Sequence, residues 1–377
     1  MLLTSVSTGA GHVKAAEAIQ EAFIKFYPKV EVKHVNAMDY VTPSFRKAYE
    51  AGYSLIVKNV PRFWGKIYEV TEKRNLKGKN SKFIRAIQQW NSARFFHFID
   101  NYKPDLVLST HFFIPQILSI KKAHSILGIS IQTVITDFDL HPSWVHPIVD
   151  RYFVAQPGIV GKLLNLGVEP ARISVTGIPI SQQFLKQVVK SDIFHQLEMK
   201  ENIPVLLLLS GGEGFISLEQ MVRQVINLKI PIQIITVSGK NVVMKKKIDQ
   251  LKIPAPSKLI SLGFVNNMDE LLTVADIVVT KPGGLTLSES LSKGAMILMI
   301  SAIPGQEEKN VEYIQLNHAG LSVFNIEDMV NEIKKLLTSP DTLAHYKEQA
   351  LKLSRPQAAF EIAKSVVSHI QKGIKIK

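Results

Sequence analysis

No cysteine occurs among the 377 residues, which excludes a disulfide framework and a thiolate metal centre. Long apolar runs are also missing. The longest, such as Val205–Leu209 and Met296–Ile300, fall far short of the roughly 20 residues that a spanning helix needs. There is no internal repeat at a short period and no low-complexity segment. Met1-Leu2-Leu3 leads directly into an expected first strand, so no signal peptide is expected and a cytosolic protein is the simple inference. That strand has no lead-in residues, so it is either short or truncated at its start. Acidic residues are scarce: 32 Asp and Glu stand against 45 Lys and Arg, a formal net charge of +13. The excess suggests a polyanionic partner, whether nucleic acid, an anionic membrane or phosphate-bearing substrates, and charge does not choose among them.

What the chain does have is length for two ordinary domains, with 46% hydrophobic residues to build two cores. Its most informative stretch runs from Ile277 to Asn310. An apolar strand, Ile277–Thr280, enters Pro282-Gly283-Gly284, which opens a helix near Leu285. A second strand, Met296–Ile300, ends in Pro304-Gly305 ahead of a helix starting near Gln306. Glycine turns at the carboxyl ends of neighbouring strands let a ligand approach the backbone, and free N–H groups at a helix start attract phosphate. Glu289 lies one turn into the first helix, where a carboxylate can accept from ribose hydroxyls. Gln306, Glu307 and Asn310 offer donors and acceptors suited to a sugar.

The rest of the chain repeats strand, glycine turn and helix. Leu2–Val6 precedes Gly9-Ala10-Gly11-His12, and a helix follows with Ala15, Ala16, Ile19, Phe23 and Phe26 at helical spacing. Lys14 stands where a dinucleotide fingerprint has its third glycine, so that fingerprint is broken. Further strands are expected at Val30–Val35, Asp105–Ser109, Ile131–Thr136, Tyr152–Ala155, Ile173–Thr176, Val205–Leu209 and Ile232–Val237, and helices at Phe113–Leu127 and Leu218–Leu228. Val205–Leu209 ends in Ser210-Gly211-Gly212-Glu213-Gly214. Leu262-Gly263-Phe264-Val265 precedes a helix from about Met268, and a last helix is expected at Ala359–Ile370. Asp137, Asp139 and His141 do not fall on one strand face, so no metal site is expected. Such alternation implies parallel sheets with ligands at the carboxyl strand ends.

Thr42 to Lys103 breaks the pattern. Basic residues outnumber acids there, and Phe45, Tyr49, Tyr53, Phe63, Trp64, Tyr68, Phe83, Trp90, Phe95, Phe96 and Phe98 are interleaved. Phe45, Tyr49, Gly52, Tyr53 and Ile56 fit one helical face, and Ile84, Ile87, Asn91, Phe95 and Phe98 sketch another. The composition suits single-stranded nucleic acid, a membrane surface, or aromatics in a core under solvated charges.

The run Thr280-Lys281-Pro282-Gly283-Gly284, Thr286, Glu289 and Ile303-Pro304-Gly305-Gln306-Glu307-Glu308-Lys309-Asn310-Val311 resembles the donor half of the diacylglycerol glycosyltransferases. These are the monogalactosyldiacylglycerol synthases and processive diacylglycerol glucosyltransferases of glycosyltransferase family 28. Gly9-Ala10-Gly11-His12, Thr136-Asp137 and His141-Pro142 look like the acceptor half. The resemblance implies an α/β GT-B fold, with two Rossmann-like parallel-sheet domains facing a cleft. An acceptor- and membrane-binding domain is expected over 1–178, a UDP-sugar domain over 179–355, and a helix over 356–377 crossing back to the first.

It further implies an inverting hexosyltransferase that moves glucose or galactose from a UDP-sugar to diacylglycerol or a glycosyldiacylglycerol, without a metal or other cofactor. His12 would be the base, with Asp137 orienting it or acting as base itself; the plain alternative is a helix-start histidine bonded to its own backbone. Gly9, Gly11, Ser210, Gly211, Gly212, Phe264, Val265, Gly283, Gly284, Thr286, Glu289, Gln306, Glu307 and Asn310 would bind substrates. Partners would be the UDP-sugar, the lipid acceptor and an anionic membrane, not nucleic acid, with the protein peripheral on the inner face of the cell membrane. Competing readings are a transferase of N-acetylglucosamine to a lipid-linked precursor and a UDP-N-acetylglucosamine 2-epimerase.

Overall fold

The computed structural model describes residues 1–7, 9–47, 91–122, 128–210 and 217–374. The chain divides into two compact units. One comprises 1–182, 303–306 and 355–377, and the other 183–302 and 307–354.

The first unit begins with β1 (Leu2–Ser5), all four residues of which are buried. Then come α1 (Ala10–Phe26), β2 (Lys33–Asn36), α2 (Ala93–Tyr102), β3 (Leu106–Ser109), α3 (Phe113–Lys122), β4 (Ser130–Val134), β5 (Arg151–Val154), α4 (Gly158–Asn165) and β6 (Ile173–Val175). The six strands form one sheet in the order β2-β1-β3-β4-β5-β6, and every pairing is parallel. Parallel strands covered on both faces need continuous apolar runs rather than alternation, and Leu106, Val107 and Leu108 supply one.

The second unit holds α5 (Lys190–Gln196), β7 (Val205–Leu209), α6 (Leu218–Ile226), β8 (Gln233–Val237), α7 (Val242–Asp249), β9 (Lys258–Leu262), α8 (Met268–Val274) and β10 (Ile277–Thr280). It continues through α9 (Gly284–Ser292), β11 (Met296–Ile300), α10 (Gln306–Leu316), β12 (Gly320–Val323), α11 (Ile326–Thr338) and α12 (Pro340–Leu353). Its sheet is also parallel, in the order β12-β11-β10-β7-β8-β9. The core on one side gathers Leu206, Leu208, Val222, Ile234, Val279 and Leu298 with Met329 and Ile333 of α11.

The last helix, α13 (Ala358–Ile374), belongs to the first unit. Its Ala359, Ile362, Ala363 and Val366 are buried in one cluster with Leu3, Ile19, Phe23 and Leu108, so α13 lies against α1 over the sheet. The chain enters α13 through Arg355, packed on Gly177. Gly177 has φ of +97°, and a Cβ there would sit 2.6 Å from the Arg355 Cβ, so both conformation and space require glycine.

Several expected boundaries shift. The strand expected at Val30–Val35 forms at Lys33–Asn36, because Val30 closes a turn onto the Tyr27 carbonyl at 2.9 Å. Helix α3 is described only to Lys122, and residues 123–127 of the expected helix lie outside the described part. Strands β9 and β12 and helices α11 and α12 were not expected. Of the basic aromatic stretch, residues 48–90 also lie outside. At its described ends Phe95 is buried, and the half-buried Phe45 stacks on Phe113 with centroids 6.1 Å apart.

Candidate active site

In an open parallel sheet, ligands bind beyond the carboxyl strand ends where the strand order reverses. The first sheet reverses between β1 and β3, and the second between β7 and β10. Gly9, Gly11 and His12 follow β1, and Gly283 and Gly284 follow β10, so these lie at the two reversals, while Phe264 and Val265 follow the edge strand β9 and Gln306, Glu307 and Asn310 follow β11.

In the first unit, β1 leads into Gly9, whose φ of +89° favours glycine, and which precedes α1 with no side chain capping the helix. Gly11 and His12 lie in the first turn of α1. The His12 Nδ1 lies 2.8 Å from the Thr110 carbonyl oxygen, just past β3, and 2.9 Å from Thr136 Oγ1, just past β4. The Thr110 hydroxyl in turn donates to the His12 carbonyl at 2.8 Å. A carbonyl only accepts, so Nδ1 carries the proton and Nε2 of the neutral ring carries the lone pair. The bond to Thr110 also replaces the simpler expectation that His12 bonds its own backbone. Asp137, next to Thr136, is buried.

A second histidine stands beside the first. His111 and His12 meet edge to face with centroids 4.6 Å apart. The His111 Nδ1 accepts from the Phe113 amide at 3.1 Å, so in the neutral ring its proton is on Nε2. The pair is thus held as opposite tautomers. Trp144 lies 6.3 Å from each imidazole centroid on a loop fixed by Tyr152, whose hydroxyl accepts from the His146 amide at 2.9 Å and donates to the His146 carbonyl at 3.0 Å. Burial drives the His12 pKa down to about 4, against the raising effect of the Thr110 carbonyl. Burial, and then the neighbouring His12, hold His111 well below its ordinary value. Both rings are therefore neutral near pH 7.

In the second unit, β10 runs through Thr280 to Lys281-Pro282-Gly283, and α9 opens at Gly284 with no side chain capping it. A Cβ on Gly283 would meet nothing within 4 Å, so the backbone of the turn is open to approach. The turn is held from behind. Asn310, fully buried on α10, donates through Nδ2 to the Pro282 carbonyl at 3.0 Å. Lys281 and Glu307 form an ion pair at 3.2 Å, with both side chains largely covered. Thr286 and Glu289 lie partly exposed on α9, and Gln306 opens α10.

Ser210, at the end of β7, is buried and bonded to the Val237 carbonyl at 3.3 Å. Gly211 and Gly212 lie outside the described residues. Phe264 is 60% exposed, which removes a core role for it, and Val265 follows it half-buried. Among the described residues, no three His, Asp or Glu side chains are grouped to hold a metal ion. No described helix is long and apolar enough to cross a membrane.

Sequence reasoning selected His12 and Asp137 but missed Thr110, Thr136, His111 and Trp144, which surround the imidazole. One signal was present: Thr110-His111 and Thr136-Asp137 each follow directly on a buried strand, the position where a parallel sheet exposes functional groups.

Residues 12–180 match the monogalactosyldiacylglycerol (MGDG) synthase family model, and 205–364 match the glycosyltransferase family 28 C-terminal domain. The processive diacylglycerol beta-glucosyltransferase of Bacillus pumilus is 31% identical over 290 residues, covering 76% of this chain and 75% of that protein. Its Bacillus subtilis counterpart is 28% identical over 353 residues, with 92% and 89% covered. A probable monogalactosyldiacylglycerol synthase 2 from Oryza sativa subsp. japonica is 28% identical over 386 residues, with 97% and 80% covered. Among solved structures, Acinetobacter baumannii MurG superposes with a TM-score of 0.66 at 15% identity, covering 98% of this chain and 99% of that one. A Staphylococcus aureus MnaA–UDP co-structure gives 0.63 at 13%, with 100% and 97% covered. The structural likenesses establish a GT-B-like fold. With two parallel six-stranded sheets, both family models and a relative above 30% identity in agreement, the chain belongs to the glycosyltransferase family of the processive diacylglycerol glucosyltransferases and monogalactosyldiacylglycerol synthases.

Proposed function

We propose that this protein transfers a hexose, glucose or galactose, from a UDP-sugar to the hydroxyl of diacylglycerol or a glycosyldiacylglycerol, with inversion, at an anionic membrane surface. The observation that carries the reading is the His12 tautomer. With Nδ1–H held by Thr110, Nε2 presents a lone pair to an acceptor hydroxyl at the carboxyl edge of the first sheet. As the acceptor oxygen attacks the anomeric carbon, His12 takes the hydroxyl proton and the bond from the anomeric carbon to the diphosphate oxygen breaks, releasing UDP. Thr136 keeps the ring environment polar, and Asp137 orients the ring or acts as base itself.

The leaving diphosphate needs its growing charge stabilised. In the second unit, the open Gly283-Gly284 turn presents the first amides of α9, and the helix dipole adds to them. Glu289 accepts from the ribose hydroxyls, and Gln306 and Glu307 address the hexose. Asn310 acts through the Pro282 carbonyl as a positioning residue, and Phe264 and Val265 lie against the uracil. The excess of Lys and Arg in the sequence supports docking on anionic lipid.

The deciding experiment incubates the purified protein with diacylglycerol vesicles and, in separate reactions, UDP-glucose, UDP-galactose or UDP-N-acetylglucosamine. Mass spectrometry of the lipid fraction should show a hexosyldiacylglycerol from one of the first two donors. A product from UDP-N-acetylglucosamine alone, or epimerisation of that donor without a lipid product, would replace this reading with one of its competitors.

A further inference from the structure

The rings of His12 and His111 stand edge to face with centroids 4.6 Å apart, and their free nitrogens have opposite characters. His12 keeps its proton on Nδ1, bonded to the Thr110 carbonyl at 2.8 Å, so its Nε2 is an acceptor. His111 takes the Phe113 amide on Nδ1 at 3.1 Å, so its Nε2–H is a donor. Neither Nε2 has a hydrogen-bond partner among the described residues. Neither is among the orphaned polar atoms that solvent cannot reach, such as those of the Gln132 amide.

The transfer proposed above uses the His12 nitrogen and leaves the His111 N–H without a task. That donor is nonetheless held firmly. Phe112 stacks on the His111 ring with centroids 4.3 Å apart. The His111 carbonyl accepts from the Ser109 hydroxyl at 2.8 Å, which ties it to the end of β3, and only 3% of the residue is exposed. An oriented N–H in so dry a setting is costly to leave unmatched, and its hydrogen bond falls to whatever enters the site.

We propose that His111 is a second acceptor-binding residue, whose Nε2–H donates to an oxygen on the carbon next to the one that bears the attacking hydroxyl. The inference rests on the transfer reading and names its acceptor class: alcohols with an oxygen on the adjacent carbon. The hydroxyl gives its proton to His12 Nε2 as its oxygen bonds to the anomeric carbon and the bond to the diphosphate breaks. His111 keeps its proton throughout. A donor on the attacking oxygen itself would hold back the lone pair that must attack, whereas a donor on the neighbouring oxygen fixes the O–C–C–O torsion without that cost. The closeness of the two rings suits oxygens on adjacent carbons rather than remote ones. In 1,2-diacylglycerol the ester oxygen of the middle carbon stands in this relation to the free hydroxyl, and in a hexose the ring oxygen does so to the primary hydroxyl. One pair of imidazoles therefore serves both kinds of acceptor.

The test compares two lipids in mixed micelles at equal mole fraction, with UDP-glucose and UDP-galactose as donors. One is 1,2-diacylglycerol, and the other an analogue whose middle carbon bears an alkyl chain directly, with no oxygen. Wild type should show a kcat/KM about two- to tenfold higher for diacylglycerol, the scale of one hydrogen bond. His111→Asn keeps an acceptor for the Phe113 amide and removes the Nε2 donor. It should lower kcat/KM for diacylglycerol by the same factor and leave the analogue unchanged, so that the two losses do not add. His111→Gln, with an amide donor reaching toward the Nε2 position, should restore part of the preference. UDP affinity by calorimetry should be unchanged in both variants, since the donor residues lie in the other unit. Equal use of the two lipids by wild type overturns the proposal and needs no variant to fold, and so does a His111→Asn protein that slows both lipids alike. In those outcomes transfer itself still occurs; no lipid product from wild type with either donor overturns the transfer reading and this inference with it.

Discussion

Asn310 holds the Pro282 carbonyl at 3.0 Å from a fully buried position, so the Gly283-Gly284 turn is shaped from the helix of the next βα unit. Removing the amide leaves a carbonyl unpaired in a dry environment. Asn310→Ala should cost about 1–3 kcal/mol of stability, read as a lower melting temperature, and should weaken UDP binding in the same variant. Unchanged UDP affinity in a folded Asn310→Ala protein would show that the turn keeps its shape without this bond.

His12→Ala should lower kcat by roughly 10²–10⁴-fold, the scale of a lost general base, with UDP affinity nearly unchanged because Glu289 and the α9 amides lie in the other unit. A raised donor Kd with intact kcat would make His12 a donor ligand. A larger loss in Asp137→Asn than in His12→Ala would move the base to Asp137.

The pH dependence follows from the partly buried ring of His12. The active form of His12 is neutral and its pKa is lowered to about 4, so kcat/KM is present above that value and declines as pH falls through it. The profile should stay level down to about pH 5.5, whereas an ordinary histidine would place the limb near 6.5. Stability has the same sign. The unfolded chain binds the proton more readily, so the contribution is complete above 6.5 and is lost as pH falls toward 4. An acid limb at 6.5 in the initial-rate profile would exclude this ring as the group reported.

Glu289→Ala should weaken UDP binding by about 1–3 kcal/mol if the carboxylate accepts from ribose, measured by titration calorimetry. Transfer should also survive EDTA if amides at the start of α9 neutralise the leaving group. Activity abolished by EDTA and restored by Mg²⁺ or Mn²⁺ would refute that account.

Gly177→Ala meets two obstacles, a φ of +97° and a Cβ 2.6 Å from that of Arg355. It should destabilise the protein by about 1–3 kcal/mol, seen as a lowered denaturation midpoint. A wild-type midpoint would mean that α13 can shift away from Gly177 without loss.

Much of the architecture was legible because parallel strands announce themselves. Val205–Leu209, Ile277–Thr280 and Met296–Ile300 formed at their expected bounds, since each is an apolar run closed by a glycine or proline turn. What escaped notice lacked that signature. Strand β9, Lys-Leu-Ile-Ser-Leu, is a half-exposed edge strand, and β12 starts with a glycine and has a serine within it. Helix α11 did carry a signal, an Asn325 cap accepting from the Asp328 amide at 2.8 Å ahead of Met329 and Ile333. At the site, His12 was readable from its glycine turn. Its partners were not, because Thr110 and Thr136 lie 98 and 124 residues away and only strand pairing brings them together.

The position of α13 bears on synthesis as well as on the finished protein. Ala359, Ile362 and Val366 fill a core whose other half, Leu3, Ile19 and Phe23, is made more than 300 residues earlier. A ribosome that has finished the first sheet therefore releases a module with one wall open to water. The second unit is contiguous apart from four residues and can close as soon as it emerges. The first must wait until α13 has been made, with Leu3, Ile19 and Phe23 exposed to chaperones in the interval.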